Sequence, residues 1–485
     1  MSTRTVANFN FNLSELPMTT RHDALLDTMQ YRADPLADDT ITAVMGTCGE
    51  SAAAQTQRLA AVTRVFNQWT DNRSLVEWAG TGEPPEFAAA LKTYVEAGRH
   101  LPDWADPAKL ARAEAIFTDY GALSVTMLFC SSLPECYVIP DLAAVLHVTG
   151  QLEARADHRV RATGAMVFPV MMRGGLTTTE GGGIAAIFKV RLIHATIRHL
   201  ILRQSPAEVL AALGDNQNKV GAGVVPPLAA AGAGATMQQA LFAHGWKTGE
   251  DGLPCNQEEL AYTLLTFSYV FLRSMRILGL GLPTADEEAY LHGWNVAGSM
   301  LGIERGLMAD TMADAQSLYD AMQARGRVDW NSRPAAFDPR PALGNALVDA
   351  AAQAIPLSMF KSFPVLMTRY LCGPETSADL GLNRHVSWFS MFFFATVMGI
   401  ARVIDTLVRL VFHQFSIVRL LTRIIGYHLI TKLMLSQTRP LKVPTHLLNG
   451  IGGMMHEWSN DPKSPGWINA IEDWATVKGS WRKSG

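Results

Sequence analysis

Charge of either sign is scarce in this chain. Only 18% of its 485 residues are Asp, Glu, Lys or Arg, and 41 basic residues against 44 acidic ones leave a net charge of -3. There is no basic excess of the kind a phosphate backbone requires, which argues against a nucleic-acid partner. Cysteine is sparse too: Cys48, Cys130, Cys136, Cys255 and Cys372 are odd in number and scattered, with no CxxC pair and no CxxCH. That pattern argues against a disulfide scaffold, a zinc ribbon and covalently attached haem c. The first residues, MSTRTVANFNFNLSELPMTTRHD, contain neither an uninterrupted apolar core nor a twin arginine, so the expected location is the cytoplasm. Internal repeats and HExxH or ExxH pairs are missing as well, which leaves a His/carboxylate metal centre without support.

What the chain does have is apolar surface, 48% of its residues, enough for a large core. Apolar positions recur at three- and four-residue spacings over Pro107 to Leu128, Ala186 to Leu202, Glu258 to Leu278, Asp286 to Leu301 and from His385 onward. Two-residue alternation is nearly absent, so the fold class expected is all-α. One helical domain is expected over residues 22–459, with an N-terminal extension (1–21), an insertion or lid (214–254) and a polar tail (460–485). His385 to Ala401 carries no Lys, Arg, Asp or Glu but is short for a bilayer span of about 20 residues. Arg402, Asp405 and Arg409 follow at helical spacings, so a buried helix is expected there, with peripheral membrane contact left open.

The most informative segment is FKVRLIHATIRHLIL, Phe188 to Leu202. Val190, Ile193, Ile197, Leu200 and Ile201 form one apolar stripe, with His194 at its edge and Arg191 and Arg198 just beyond. Haem b has complementary features: an apolar macrocycle, an iron that accepts a neutral imidazole, and two propionates that arginines can bind. A lone histidine beside an apolar face is more often structural than a ligand, and spacing alone leaves both readings open. His199 lies elsewhere on the helix as a backup, and His147, His158, His292 and His428 show no comparable setting.

The stretch Arg191-Leu-Ile-His194-Ala-Thr-Ile-Arg198-His199-Leu, followed by Gln204-Ser-Pro206, resembles the haem-ligating helix of the latex clearing protein family, which includes the ER-bound oxygenases of the mycophenolic acid pathway. Further matches follow in chain order: Asp34-Pro-Leu-Ala-Asp38, Ser132-Leu-Pro-Glu-Cys-Tyr137, Asn256-Gln257 with Thr263, Leu291-His-Gly-Trp294 leading to Met300-Leu-Gly302, and Tyr370-Leu-Cys-Gly373 with Leu380-Gly-Leu382. The resemblance covers roughly residues 22–455. It implies a globin-like helical core around one non-covalent haem b, with His194 as the proximal metal ligand and Arg191 and Arg198 in support.

The resemblance also marks a departure. Where rubber oxygenases carry Arg-x-x-Lys-Thr on the distal side of the haem, this chain has Arg159-Val-Arg-Ala162-Thr163, and the position of an upstream glutamate base is matched by Leu142. Alanine cannot ligate iron, which implies an open distal position, and the lost base weakens allylic proton removal. Arg159, Thr163 and Thr263 remain as candidate hydrogen-bonding groups toward O2 or peroxide. The expected function is a haem b oxygenase that cleaves or oxidises an alkene in an apolar small molecule. The alternatives are a haem-based gas or lipid sensor or carrier, and a peroxidase or peroxygenase.

Overall fold

Several helix starts carry the side-chain cap that their sequence announces. Asp106 precedes the helix Pro107–Asp119 and accepts from the Ala108 amide at 2.8 Å. Asn256 opens Gln257–Phe267 and accepts from the Glu259 amide at 2.9 Å. These oxygens satisfy amides that a helix start leaves without an internal partner. The computed structural model describes residues 18–46, 52–148, 156–215, 223–227, 240–241, 243–331, 338–355, 360–409, 417–430 and 470. Among them the architecture is all-α, as expected, and the one sheet pairs Val224–Val225 with Trp246–Lys247. That sheet falls inside the expected insertion, of which 216–222, 228–239 and 242 lie outside the described residues. The expected polar tail lies outside them too, apart from residue 470.

Two expected long helices are each broken in two. Pro107–Asp119 ends at Tyr120 (φ -112, ψ 17), and the chain turns through 84° before continuing. Arg419 stabilises this corner: its Nη2 donates to the Asp119 carbonyl at 3.0 Å, and its guanidinium lies 4.6 Å from the Tyr120 ring centre. The corner thus depends on the distant helix Ile417–Leu429, which local periodicity cannot reveal. Gln257–Phe267 passes into Tyr269–Ile277 across Ser268, whose hydroxyl donates to the Leu264 carbonyl at 2.9 Å. Such back-bonding competes with the helix ladder and bends it.

The stretch from His385 also differs from expectation. Over the described side chains of its helix, Trp388–Arg409, one face is bare: Trp388 is 73% exposed, and Phe389, Met391, Phe392 and Ile400 are exposed with it. Met398 is buried, and Phe393 and Phe394 meet Phe360 and Phe363. Among the described residues no single helix is long and apolar enough to cross a membrane.

The centre of the fold is the helix Gly183–Leu202, which carries His194. Pro35–Met45 and Ala156–Met171 pack against it. Two buried ion pairs join it to the start of Pro35–Met45. Arg191 grips Asp34 with both Nε (2.5 Å) and Nη2 (2.7 Å), while its Nη1 donates to the Met300 carbonyl at 3.0 Å. Arg198 donates from Nε to Asp38 at 2.8 Å and from Nη1 to the Cys255 carbonyl at 2.6 Å. The two aspartates lie four residues apart and therefore on one helix face. Their matched motif is thus a set of counter-ions. Burial pushes the Asp38 carboxyl up from its ordinary range, and Arg198 offsets part of that rise.

Other matched motifs close around the same pairs. Gly302 (φ +91) passes so near that an added Cβ would stand 2.5 Å from Asp34 Oδ2 and 2.9 Å from Arg191 Nε. Gln257 donates to the Ala33 and Gly302 carbonyls at 2.9 and 2.8 Å. A second buried hub forms at Glu135, which accepts from Arg273, from Gln323 at 2.9 Å and from Thr376 at 3.1 Å.

Removing one partner of a buried pair strands the other charge, whereas replacing both with apolar residues can be nearly neutral. We expect Arg198→Met to lower unfolding free energy by about 3–5 kcal/mol. Adding Asp38→Leu to it should restore most of the loss, read as the urea midpoint in a double-mutant cycle. Additive losses would show that the two groups are not coupled.

Candidate functional site

A cavity of about 370 Å³ lies mainly between the His194 helix, the Ala162 helix (Ala156–Met171), the helix Gln257–Phe267 and the helix Pro140–Val148, with Leu133, Cys136 and Trp294 completing its wall. That volume lies in the usual range for small-molecule sites. The His194 helix turns Val190, Ile193, His194 and Ile197 to this space, as 3.6-residue periodicity requires of one face. Leu142, Val145 and Leu146 form another wall, and Ala162, Thr163 and Met166 a third. Ile193 is 39% exposed although it stands in the cavity wall. Bare apolar surface of this kind is what an apolar ligand would cover.

The structure therefore brings together His194, Ala162, Thr163, Leu142 and Thr263. It does not bring Arg191 and Arg198 to the same space. Both guanidinium groups point to Asp34 and Asp38 behind the helix and are paired there with carboxylates of the chain. They orient the histidine helix from behind. Arg159 belongs to the Ala162 helix, but its side chain lies outside the described residues. Arg161, two residues on, is completely buried. Thr263 faces the cavity, yet its hydroxyl donates to the Glu259 carbonyl at 2.9 Å, so what it offers a ligand is an acceptor oxygen.

Glu259 was not anticipated. It is 4% exposed, it stands in the cavity wall one turn before Thr263, and neither carboxylate oxygen has a hydrogen-bond partner among the described residues. Burial pushes its carboxyl well above the ordinary glutamate range, and the nearby negative charge of Asp141 adds to the rise. The Cys255 and Asn256 amides oppose that rise without closing a bond of ordinary geometry. In the sequence Glu259 follows the cap residue Asn256 by three, the place where glutamate commonly closes a capping box. Its pattern therefore suggests a local role. The only signal otherwise is a second consecutive carboxylate entering an apolar helix.

The residues present fit a haem. Among the described residues no group of three or more His, Cys, Asp or Glu side chains is placed to hold a bare ion. A metal at His194 would thus need most of its ligands from elsewhere, and a porphyrin supplies four in one apolar plane. Cys255 links the cavity to the ion pairs. It is held at φ 52, an unusual value for a residue with a side chain, with its carbonyl on Arg198 and its side chain in the wall.

Comparisons with known proteins bear on the fold and the family. A solved structure of latex clearing protein in the closed state superposes with a TM-score of 0.54 at 22% identity, covering 76% of this chain and 82% of that one. It shares the fold. The rubber oxygenase of Streptomyces sp. (strain K30) is 24% identical over 330 residues, which is 67% of this chain and 66% of the relative's length. The family model described as "ER-bound oxygenase mpaB/B'/Rubber oxygenase, catalytic domain" matches residues 116–403, a span that includes every cavity residue named above but neither Asp34 nor Asp38. The chain belongs to this family of ER-bound mpaB/B' and rubber oxygenases.

Proposed function

We propose that the protein is a haem b oxygenase that oxidises or cleaves an alkene bond in an apolar small molecule with O2. The observation that carries this reading is His194, a single imidazole in the wall of an apolar cavity, in a chain of an oxygenase family. Haem bound there would supply the redox chemistry that no amino-acid side chain provides.

The chain's own residues contribute position and environment. His194 would hold the iron from the proximal side, on a helix whose rotation is set by Asp34 and Asp38. Val190, Ile193, Ile197 and Leu264 bind hydrocarbon and keep water out. Ala162 lines the cavity and offers no atom that could bind a metal. Thr163 lines the same space. Leu142 has no ionisable group, so any proton handling in this cavity falls to other groups.

Ala162 and Leu142 also favour a second reading, a haem-based carrier or sensor without turnover. Oxygen uptake with candidate alkenes separates the two, since the carrier would bind O2 or CO reversibly and form no product.

Protein reconstituted with haem should show a Soret band, and His194→Ala should weaken haem retention by about 10-fold or more, measured by transfer to an apo-haem acceptor. Equal retention in the two proteins removes His194 as the ligand. Ala162→Lys should convert the spectrum to a six-coordinate form and slow CO binding, because the amine can reach an open position. An unchanged spectrum would mean that position 162 does not face the iron.

A further inference from the structure

The polar groups in the cavity wall are unevenly distributed. Glu259 and Thr263 stand one turn apart on one helix, so they share a face and border the same space. Among the described residues both oxygens of the Glu259 carboxyl lack a hydrogen-bond partner, and the Thr263 hydroxyl donates to the Glu259 carbonyl. That corner therefore offers acceptor oxygens, and the carboxyl, pushed toward its protonated form by burial, can donate as well. Around it stand Leu260, Leu264, Phe267, Leu133 and Leu142, which offer nothing to a polar group.

A buried carboxyl that closes no hydrogen bond is costly, the Cys255 and Asn256 amides offset only part of that cost, and native proteins rarely tolerate the rest without a use. The acidic neighbours do not relieve it. Asp141 and Glu258 each push the Glu259 carboxyl further up. Arg325, the cation bordering the small crevice behind Glu259, is committed to Glu258 at 3.1 Å and to Asp27 at 2.6 Å.

We infer that the cavity takes an amphipathic ligand, an apolar body with one hydrogen-bond-donating head, a hydroxyl or an amine, and that Glu259 is the residue that receives this head. This rests on the proposed function and narrows its substrate class: a pure hydrocarbon such as a polyisoprene segment would leave the carboxyl unsatisfied. A head held at Glu259, with Thr263 as second acceptor, fixes which end of the molecule enters first. It thereby sets which bond of the apolar body lies deepest in the cavity. Glu259 is a binding and positioning residue in this account.

Calorimetric titration of the purified protein with geraniol, geranylamine and myrcene, three ten-carbon terpenes that differ in the head, tests this directly. We expect at least one of the two headed ligands to bind about 10-fold or more tightly than myrcene, the effect of one buried hydrogen bond. Preference for geraniol identifies a neutral carboxyl receiving a hydroxyl, and preference for geranylamine identifies an ion pair. In Glu259→Leu the preference should fall to within about 2-fold, with myrcene bound at least as well as before. Equal affinities in the wild type, or a preference that survives in Glu259→Leu, would overturn the inference. Calorimetry does not depend on a Soret signal, so failure of the haem assignment and failure of this one are read separately.

A second variant guards against a folding defect. Because the Glu259 carboxyl is raised in the folded state, the native protein holds its proton to higher pH than the unfolded chain does. Stability is then lost as pH rises above about 4.5, the ordinary glutamate value. Glu259→Gln cannot ionise. Its urea midpoint should therefore exceed the wild type's increasingly toward pH 8, and the gap should stop changing below that ordinary value. Parallel curves would mean that the carboxyl is not held in an apolar wall.

Discussion

Four charged side chains, buried in two pairs, orient the helix on which everything else depends. Arg191 and Arg198 are two turns apart, and His194 lies between them. Taking these charges out of water costs about as much as their attraction returns, so their contribution to net stability is modest. Their geometric contribution is larger. A guanidinium that meets a carboxylate through two nitrogens accepts one orientation, and an error of one residue in helix rotation would swing the opposite face by about 100°. Pinned above and below the histidine, the helix can present only Val190, Ile193, His194 and Ile197 to the cavity.

The residues that enclose these pairs are the ones most easily misread as parts of an active site. Gly302 is small because Asp34 and Arg191 occupy the space where its Cβ would be. Gln257 ties the strands of backbone on either side, and Cys255 takes an unusual backbone angle while its carbonyl caps Arg198. Glu135 does similar work in its own hub with Gln323 and Thr376. Charge in this interior is therefore divided in two. Behind the histidine helix it is paired and structural, and in front of it, among the described residues, the Glu259 carboxyl is left unmatched in an apolar wall.

That division explains what was legible in the sequence. His194 was recognisable because a helix face is periodic, and Ala162, Thr163, Leu142 and Thr263 because an ordered set of motifs placed them. All five line one cavity. Arg191 and Arg198 were correctly located on the helix, but their partners sit about 160 residues away in the chain, beyond the reach of periodicity. Glu259 was hidden by the opposite effect, since a strong local pattern, the capping box, accounts for it without reference to the cavity. The exposed aromatic face of Trp388–Arg409 was misjudged because an apolar run states that water is unwelcome without stating what replaces it.

By itself the sequence determined the helical class, the helix that carries His194 and the face on which it stands, because these follow from short-range backbone geometry and hydrophobic spacing. Only the tertiary structure decided which charges are paired and which carboxyl faces the cavity. It also decided where long helices break, as at Tyr120 beneath Arg419. Those outcomes depend on groups hundreds of residues apart meeting in a low-dielectric interior, where a charge is stable if its partner arrives and costly if it does not.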